Sequence, residues 1–443
     1  MTSAAAGAAA REGAARLRRD QGAADRQRLK TAQALVKVFS GMRGAAMKVG
    51  QTLSAVDLGV VPDEIRDEFQ AILAELQHGA EPVSFKAIRG VIEEDFGERL
   101  SHLFADIDET PIAAASIGQV HRATTVDGRD VAVKVQYPGI AEAIHSDLRN
   151  LRLGLKLLSA VAPGVDTASI AGEIKERIAE ELDYELEASN QRAMSRVYRG
   201  HPFVVVPDVV RCTERVIVSE FVDGTRFTGV LDRSQAERDR LAEVLLRFYL
   251  NGPMRHRLLN GDPHPGNALF LDDGRVAFVD FGFFKRLTDA DVAQLVESTR
   301  ATHDGDAHAL LAVVSGLGGL PADPALAEPF LDNYRAIFGW LLADHPTTVD
   351  PAATGEMMRR YGALRSADGF EGLAVPAEHF VMLRAIFLLI GLLGRLQARG
   401  TWLDIAREWL FGDEPVTELG RQEAAFFSDR CRFENPQPVG SPA

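Results

Sequence analysis

Two early segments of the chain carry apolar residues at the spacing of an α-helix. In "PDEIRDEFQAILAELQ", the apolar residues between Ile65 and Leu76 fall on one face, and Pro62 suits a first helical turn. The segment "SFKAIRGVIEEDFG" predicts a second helix that follows a cap at Ser84 and stops at Gly97. Both patterns are typical of packed helices that take no direct part in catalysis.

The pattern then changes to the alternation that is typical of strands. "ASIGQVHRATTVDGRDVAVKVQY" contains two alternating runs around an Asp127-Gly128 turn, which is a strong hairpin signal. Residues 141–200 return to a helical pattern, and "RVIVSEFVDG" (215–224) predicts a further strand that ends in a turn. "ALFL" and "VAFV" flank a turn at residues 272–275, so they predict a second, shorter hairpin.

Helical patterns dominate the chain after Ser234. A helix over residues 234–251 begins with the capping-box pair Ser234 and Glu237. The run "AIFLLIGLLG", from Ala385 to Gly394, has ten residues, whereas a helix that crosses a bilayer needs about 20. We therefore expect it to be a buried helix of a soluble protein.

This order of elements predicts a small strand-containing lobe followed by a helical lobe, with a cleft between them that suits a ligand. The predicted divisions are a basic N-terminal segment (1–40), a helical extension (41–110), the strand-containing lobe (111–223) and the helical lobe (224–443).

Composition narrows the class of protein. The chain has 443 residues, of which 46% are hydrophobic and 25% charged, so it is long and apolar enough to bury a substantial core. Its net charge is −14; residues 1–50 carry ten Lys or Arg against three Asp or Glu, which leaves −21 on the remainder. An acidic body argues against a nucleic-acid partner. Two cysteines, Cys212 and Cys431, predict neither a disulfide framework nor a metal cluster and suit a reducing compartment.

The N-terminal segment has its own character. "MTSAAAGAAAREGAARLRRD" lacks the apolar core of a secretory signal, so we expect a cytoplasmic location. The basic stretch from Arg11 to Lys48 fits either a peripheral contact with an anionic membrane surface or a solvated, partly frayed tail.

Two aspartates and an asparagine surround the second hairpin. Asp262 and Asn267 precede its first strand, and Asp280 follows its second, so the hairpin brings all three together. Mg²⁺ prefers oxygen ligands from one or two side chains together with phosphate oxygens. Protein kinases place an Asp and an Asn five residues apart and follow them with D-F-G, the pattern seen here in "DPHPGN" and "DFG". His264 is more typical of a structural hydrogen-bonding residue than of a magnesium ligand.

An upstream strand agrees with this interpretation. "DVAVKV" is similar to the kinase strand V-A-I-K, which makes Lys134 the candidate lysine for nucleotide phosphates. Kinases hold that lysine with a helical glutamate, and "EELDYELEASNQ" offers several acidic residues. Among them, Glu187 suits either neutralisation of a basic group in the cleft or an exposed helix position.

Taken together, these motifs resemble the UbiB (AarF) family of atypical kinase-like proteins, strongly over residues 40–290. The matching pieces are "MKVGQ" with Lys48, Gly50 and Gln51, the alanine-rich "AAASIGQVHRA", "VAVK", "ELDYELEASN", "DPHPGN" and "DFG". The resemblance implies an α+β, protein-kinase-like bilobed fold. It also implies an N-terminal helical extension whose K-x-G-Q segment packs where a peptide substrate would otherwise lie.

The resemblance implies a role for each matching residue. Asp262 would orient the nucleophile, Lys134 with Glu181 would orient phosphates, and ATP or ADP with Mg²⁺ would be the cofactors. Three alanines replace the usual glycine-rich loop, and their methyl groups should hold the backbone farther from the phosphates. The implied sites are catalytic (Asp262, Lys134, Glu181), nucleotide-binding (Ala113, Ala114, Ala115, Ser116, Lys134, Glu220), metal (Asn267, Asp280) and cleft-occluding (Lys48, Gln51, Asp183).

Departures from ordinary kinases limit the predicted activity. The loop reads Asn260-Gly261-Asp262 where kinases have His-Arg-Asp, and no A-P-E follows the D-F-G. Ordinary protein kinase activity is therefore not expected. The predicted function is an atypical kinase or ATPase of quinone or isoprenoid-lipid metabolism, whose partners would be a nucleotide and an isoprenoid lipid or quinone-pathway proteins. Two alternatives stay open: a nucleotide-binding switch without turnover, and a small-molecule kinase with an open acceptor pocket.

Overall fold

The computed structural model describes residues 83–115, 117–144, 146, 179, 181–316, 322–349 and 377–434. Almost all of them belong to one compact unit, Pro82–Pro138 together with Glu180–Ala443; the other unit comprises Met1–Glu81 and Gly139–Ala179. Several predicted features lie outside the described residues: the basic N-terminal segment, the helix between Ile65 and Leu76, and the site residues Lys48, Gln51 and Ser116.

The described part of the larger unit combines a strand-rich first part with a mainly helical remainder. Its helices are α1 (Phe85–Phe96), α2 (Leu100–Leu103), α3 (Tyr184–Tyr198), α4 (Gln235–Leu246), α5 (Gly252–His256), α6 (Asp289–Asp304), α7 (Ala307–Ser315), α8 (Ala327–Leu342), α9 (Ala377–Arg395), α10 (Trp402–Leu410) and α11 (Glu418–Glu434). A π-helical turn, Arg247–Asn251, connects α4 to α5, and short 3₁₀ turns occur at Phe227–Val230, Pro265–Asn267 and Pro324–Leu326.

The strands form one large sheet and three small ones. They are β1 (Phe104–Ile107), β2 (Ala113–Ala114), β3 (Gly118–Thr125), β4 (Asp130–Gln136), β5 (Val204–Val205), β6 (Val209–Cys212), β7 (Val216–Glu220), β8 (Thr225–Arg226), β9 (Leu258–Asn260), β10 (Ala268–Phe270), β11 (Val276–Phe278), β12 (Phe284–Arg286), β13 (Thr347–Thr348) and β14 (Arg399–Gly400).

The large sheet is antiparallel, with strand order β1-β3-β4-β7-β6 and β2 paired to β3. The predicted turn joins β3 to β4, with Gly128 at a φ of 85° that glycine adopts without a steric penalty. Val131, Val133 and Val135 alternate along β4 and are fully buried, so the intervening residue Lys134 faces the opposite side. β1 belongs to this sheet although it precedes residue 111, where the sequence placed the start of the lobe.

Close backbone approach fixes the start of β3. A Cβ atom at Gly118 would lie 2.2 Å from the carbonyl oxygen of Val135. Because that neighbour is backbone in the adjacent strand, Gly118→Ala should lower the free energy of unfolding by about 1–3 kcal/mol. Gly90→Ala is the matched control: its added methyl group meets nothing within 4 Å, and alanine should stabilise helix α1 by about 0.5–1 kcal/mol. Denaturant unfolding measures both values, and equal stability of the two variants would contradict the packing of β3.

The helical part is built around α4, the π-helical turn and α9. Ser234 and Glu237 form the predicted capping box at the start of α4. The apolar run from Ala385 to Gly394 lies within α9, and Leu389, Ile390 and Leu393 are almost completely buried in the main core. This confirms the buried helix. Among the described residues, no helix combines the length and hydropathy of a membrane span.

A buried ion-pair cluster ties the C-terminal helices to this core. Arg247 is fully buried and contacts Glu243 at 2.8 Å, Glu408 at 2.7 Å and Glu423 at 3.0 Å. These carboxylates come from α4, α10 and α11. Burial alone would lower the pKa of Arg247, but hydrogen bonds and charge from the carboxylates raise it overall. The cluster therefore fixes the orientation of three helices around one charged group.

Two small sheets position the loops of the candidate site. β9 pairs with β12 so that Asn260 lies opposite Phe284, and β10 pairs with β11 as the predicted hairpin. The loop 261–267 leaves β9 and enters β10, while the loop 279–283 leaves β11 and enters β12. Because each loop runs between the same two strand pairs, the two loops lie side by side.

Candidate active site

Lys134 is the centre of a partly buried ion-pair network. Its Nζ donates to Glu187 Oε1 at 2.6 Å and to Asp280 Oδ2 at 3.1 Å. The ring of Tyr184 lies below the ammonium group, with its centroid 5.2 Å from Nζ. The lysine thus connects the large sheet, helix α3 and the Asp280 loop through one side chain.

The partner of Lys134 on α3 corrects one prediction. The sequence interpretation paired Lys134 with Glu181, whereas the structure pairs it with Glu187. Helix α3 begins at Tyr184, capped by Asp183, whose carboxylate accepts a hydrogen bond from the Leu186 amide at 2.9 Å. Glu181 therefore precedes the helix. Glu187 lies one turn after the cap on the buried face, as the alternative of a neutralising group in the cleft predicted.

Asp280 is fixed by its own tripeptide and by a neighbouring loop. Its Oδ1 accepts a hydrogen bond from the Gly282 amide at 3.1 Å, and its carbonyl oxygen accepts one from Asn260 Nδ2 at 2.7 Å. Phe281 is fully buried, and its carbonyl oxygen accepts a hydrogen bond from Asn190 of α3 at 3.3 Å. The D-F-G segment is therefore anchored on both sides of the carboxylate.

Asp262 and Asn267 form the second half of the site. Asn267 Nδ2 donates to Asp262 Oδ2 at 2.9 Å and to the Asp262 carbonyl oxygen at 3.1 Å. The Asp262 amide donates to Asn260 Oδ1 at 3.0 Å. Since Asn260 also bonds to the carbonyl of Asp280, this one amide side chain joins the two loops. Asn260 occupies the place of the kinase histidine and supplies a purely structural link.

Arg384 of α9 contacts the same loop from the helical part. Its Nη2 donates to Asp262 Oδ1 at 2.8 Å, and its Nη1 donates to the Gly261 carbonyl oxygen at 2.7 Å. The sequence interpretation did not assign Arg384 to the site. The sequence did contain a signal for Arg384, because an arginine within a mainly apolar helix requires a buried partner.

Burial and charge determine the protonation states. Burial alone would lower the pKa of Lys134, but Asp280 and Glu187 raise it well above its usual value. Burial alone would raise the pKa of Asp280, yet the charge of Lys134 and a backbone hydrogen bond hold it below the ordinary value despite repulsion from Asp262. At neutral pH, a cationic Lys134 therefore faces an ionised Asp280.

Glu187 behaves differently because it is almost completely enclosed. Burial raises its pKa to about 7, and Lys134 offsets only part of that rise. A carboxyl group whose folded pKa exceeds its unfolded value stabilises the fold at low pH and loses that contribution as the pH rises. The window for Glu187 runs from its ordinary value of 4.5 to about 7.

Glu187→Gln tests this titration. The wild-type free energy of unfolding minus that of Glu187→Gln should decline between pH 4.5 and pH 7, by about 1–3 kcal/mol in total. Urea unfolding at half-unit pH steps gives the difference. Glu185→Gln, an exposed position in the same helical turn, is the matched control for removal of one carboxylate. A difference for Glu187→Gln that does not change with pH would contradict the buried titration.

The alanine-rich segment is a strand in this structure. Ala113 and Ala114 form β2 opposite Val120 and Gln119, and the Ala115 amide donates to the Gly118 carbonyl oxygen at 2.8 Å. Ala113, Ala114 and Ala115 are therefore held against β3 by backbone pairing. Their predicted contact with nucleotide stays a prediction.

Three other predicted residues are placed but not brought to the network. The carboxylate of Glu220 accepts a hydrogen bond from the Asp208 amide at 3.0 Å, at the end of β7. Asp183 serves as the cap of α3, and its role in occluding the cleft stays a prediction. His264 accepts a hydrogen bond from the Gly266 amide at 3.1 Å, which matches the structural role expected for it.

The donor set fits one magnesium ion shared with a nucleotide. Among the described residues, no group of three or more His, Cys, Asp or Glu side chains converges as a metal site. Mg²⁺ in phosphoryl-transfer sites needs fewer protein ligands, because phosphate and water oxygens complete its shell. Asp280 offers carboxylate oxygens, and Asn267 uses its amide nitrogen towards Asp262, so its amide oxygen suits a cation.

The fold and the site are similar to those of protein kinases. They combine a strand-rich first part, the ion pair of Lys134 with Glu187, and the two neighbouring loops that carry Asp262 and Asp280. The family model of the ABC1 atypical kinase-like domain matches residues 75–314. The chain therefore belongs to the ABC1 (UbiB/AarF) family of atypical kinases, as the sequence motifs predicted.

Individual relatives agree. The chain is 32% identical over 278 residues to the rat protein "Atypical kinase COQ8B, mitochondrial", a match that covers 62% of this chain and 52% of the relative. It is 34% identical over 275 residues to the chloroplastic "Protein ACTIVITY OF BC1 COMPLEX KINASE 1" of Arabidopsis thaliana, covering 60% and 40%. These matches thus span about half the length of the relatives or less.

A solved structure covers more of the chain. The Mycobacterium tuberculosis protein Rv3197, determined as a complex with erythromycin, superposes with a TM-score of 0.64 at 28% identity. The superposition covers 89% of this chain and 100% of that protein. The likeness therefore extends beyond the region that the family model matches.

Proposed function

We propose that this chain binds a magnesium nucleotide between β4 and the two loops and transfers or hydrolyses its terminal phosphoryl group. The observation that carries the proposal is the network in which Lys134, Glu187 and Asp280 meet next to the pair Asp262 and Asn267. Kinase-type phosphoryl transfer requires this combination of a paired lysine, metal-binding oxygens and a nucleophile-orienting carboxylate.

Each side chain has a defined task in this proposal. Lys134 binds nucleotide phosphate oxygens, while Glu187 keeps its ammonium group in place. Asp280 and Asn267 hold Mg²⁺, which would neutralise charge on the phosphates when bound. Asp262 accepts a hydrogen bond from the attacking hydroxyl group or water and aligns it with the phosphorus atom. Catalysis then rests mainly on positioning and electrostatics.

The site residues constrain the phosphoryl acceptor less than they constrain the nucleotide. We infer a role in quinone or isoprenoid-lipid metabolism from the family resemblance, with a lipid or a quinone-pathway protein as the partner. The departures from H-R-D and A-P-E support an acceptor other than an ordinary protein substrate. A peripheral membrane contact of the basic N-terminal segment would suit a lipid acceptor and belongs to the same proposal.

The test is nucleotide binding and turnover by the full chain. Calorimetric titration with ATP and ADP, with and without Mg²⁺, should show metal-dependent binding. Phosphate release should be detectable, and vesicles that contain an isoprenoid lipid should accelerate it. Binding without turnover under every condition would favour the nucleotide-binding switch, and the absence of metal-dependent binding would overturn the proposal.

A further inference from the structure

The contact between Arg384 and the Asp262 loop has the geometry of a clamp. Arg384 is nearly buried, with 7% of its side chain exposed. One guanidinium nitrogen bonds the Asp262 carboxylate and another bonds the preceding carbonyl group of Gly261. The guanidinium also lies over the ring of Phe283, 4.6 Å from its centroid. These contacts fix the guanidinium against the loop on two sides.

The clamp holds one specific oxygen of the carboxylate. Arg384 bonds Asp262 Oδ1, while Asn267 bonds Oδ2. Donors on both oxygens restrict rotation of the carboxylate about its terminal torsion, which is broad when unrestrained. The loop sequence "NGDPHPGN" (260–267) contains no Lys or Arg, so the cation reaches Asp262 from a helix 122 residues later in the sequence.

Stability alone is a weak reason for this arrangement. A buried ion pair is often no more stabilising than apolar residues of similar size, because both charges lose their hydration. Here the arginine interrupts the apolar face of α9, which otherwise packs into the core. This arginine contacts Asp262, the side chain that would orient the nucleophile. Its position therefore suits a role in catalysis better than a role in stability.

We propose that Arg384 is a positioning residue for phosphoryl transfer: it fixes the orientation of the Asp262 carboxylate. The inference rests on the proposed function and names a further part of the same site. The hydrogen bonds of Arg384 go to Gly261 and Asp262 and not to the predicted metal ligands Asn267 and Asp280. Nucleotide affinity should therefore depend little on Arg384.

Arg384→Gln is the primary test. Loss of the clamp should lower kcat by about 10–100-fold, since small errors in orientation weaken a positioned acceptor strongly. The nucleotide Kd in the presence of Mg²⁺ should change by less than about threefold, because binding energy common to ground state and transition state is retained. Arg395→Gln is the matched control: it removes an exposed arginine from the same helix, and the guanidinium of Arg395 stacks on Phe227.

Two further variants separate positioning from folding. Arg384→Lys keeps the charge but loses the planar fork, so its kcat should remain below wild type while its melting temperature exceeds that of Arg384→Gln. If Arg384→Gln does not fold, Arg384→Lys carries the test. In an Asp262→Asn background, Arg384→Gln should cause no additional loss of kcat, because both residues act through one carboxylate.

The outcomes distinguish this inference from the proposed function. Unchanged kcat in a folded Arg384 variant, or losses that multiply in the double variant, would overturn the positioning role. If the wild-type protein neither binds nor hydrolyses nucleotide, the proposed function fails instead. Hydrogen exchange of residues 260–267 without nucleotide then tests the clamp alone: exchange should accelerate in Arg384→Gln but not in Arg395→Gln, and equal rates would refute it.

Discussion

Asp280→Asn is expected to weaken magnesium-dependent nucleotide binding by roughly 100-fold, equivalent to about 2.7 kcal/mol, with little change of fold. The substitution keeps size and shape but removes the charge that would face the metal ion. It also removes an ionic contact with Lys134 at 3.1 Å, although Glu187 remains beside that lysine at 2.6 Å. Titration of ATP at fixed Mg²⁺ concentrations measures the effect.

The metal dependence itself supplies the control. With Mg²⁺ chelated, Asp280→Asn and the wild-type protein should bind nucleotide with similar, weak affinity, because the difference arises from metal coordination. Asp272→Asn makes the same chemical change at an exposed position in the β10–β11 turn and should behave as wild type. Unaltered magnesium-dependent affinity of Asp280→Asn would remove Asp280 from the metal site.

Short-range signals explain why the loop pair could be predicted. The turns at Gly128 and Gly274 both adopt positive φ values, 85° and 83°, and each joins two strands whose alternation is visible in the sequence. Once the β10–β11 hairpin is known, Asp262 and Asp280 must lie near its ends. Asn267 follows Asp262 by five residues and lies in the same loop. Local geometry therefore explains why Asp262, Asn267 and Asp280 come together.

The choice between Glu181 and Glu187 required the phase of a helix. Asp183 caps α3, and a cap there places Tyr184, Glu187 and Gln191 on one face at intervals of three and four residues. All three are buried. The acidic segment "EELDYELE" made the buried face difficult to recognise, because its several charged side chains suggested a solvated face. The Asp183 cap was the signal in the sequence that could have selected Glu187.

Long-range contacts could not be obtained in the same way. The clamp of Arg384 on Asp262 and the Arg247 cluster both join residues more than 100 positions apart. No local periodicity encodes which helix packs on a loop. The apolar pattern of α9 predicted its burial, but the partner of its buried arginine, Arg384, depends on the tertiary packing.

Asp262→Asn is expected to lower kcat by about 100–10,000-fold, the range in which positioned acid–base groups act, while nucleotide affinity changes by less than about threefold. Arg384 and Asn267 donate to different oxygens of the carboxylate. An amide would present an NH2 group, which is only a donor, to one of these two donors, so one hydrogen bond would be lost. The nucleophile thereby loses both a charged acceptor and its fixed direction. Single-turnover phosphate release, alongside calorimetric nucleotide titration, separates the two effects.

The contrast with Asp280→Asn makes this result informative, because one variant should lose binding and the other turnover. Asp272→Asn again serves as the control for removal of one surface carboxylate. If Asp262→Asn retained wild-type kcat, the carboxylate would not orient the nucleophile, and the positioning role of Arg384 would fall with it. If wild type and Asp262→Asn bound nucleotide equally and neither turned it over, the cleft would serve as a nucleotide-dependent switch, in which the clamp stabilises one conformation of the loop.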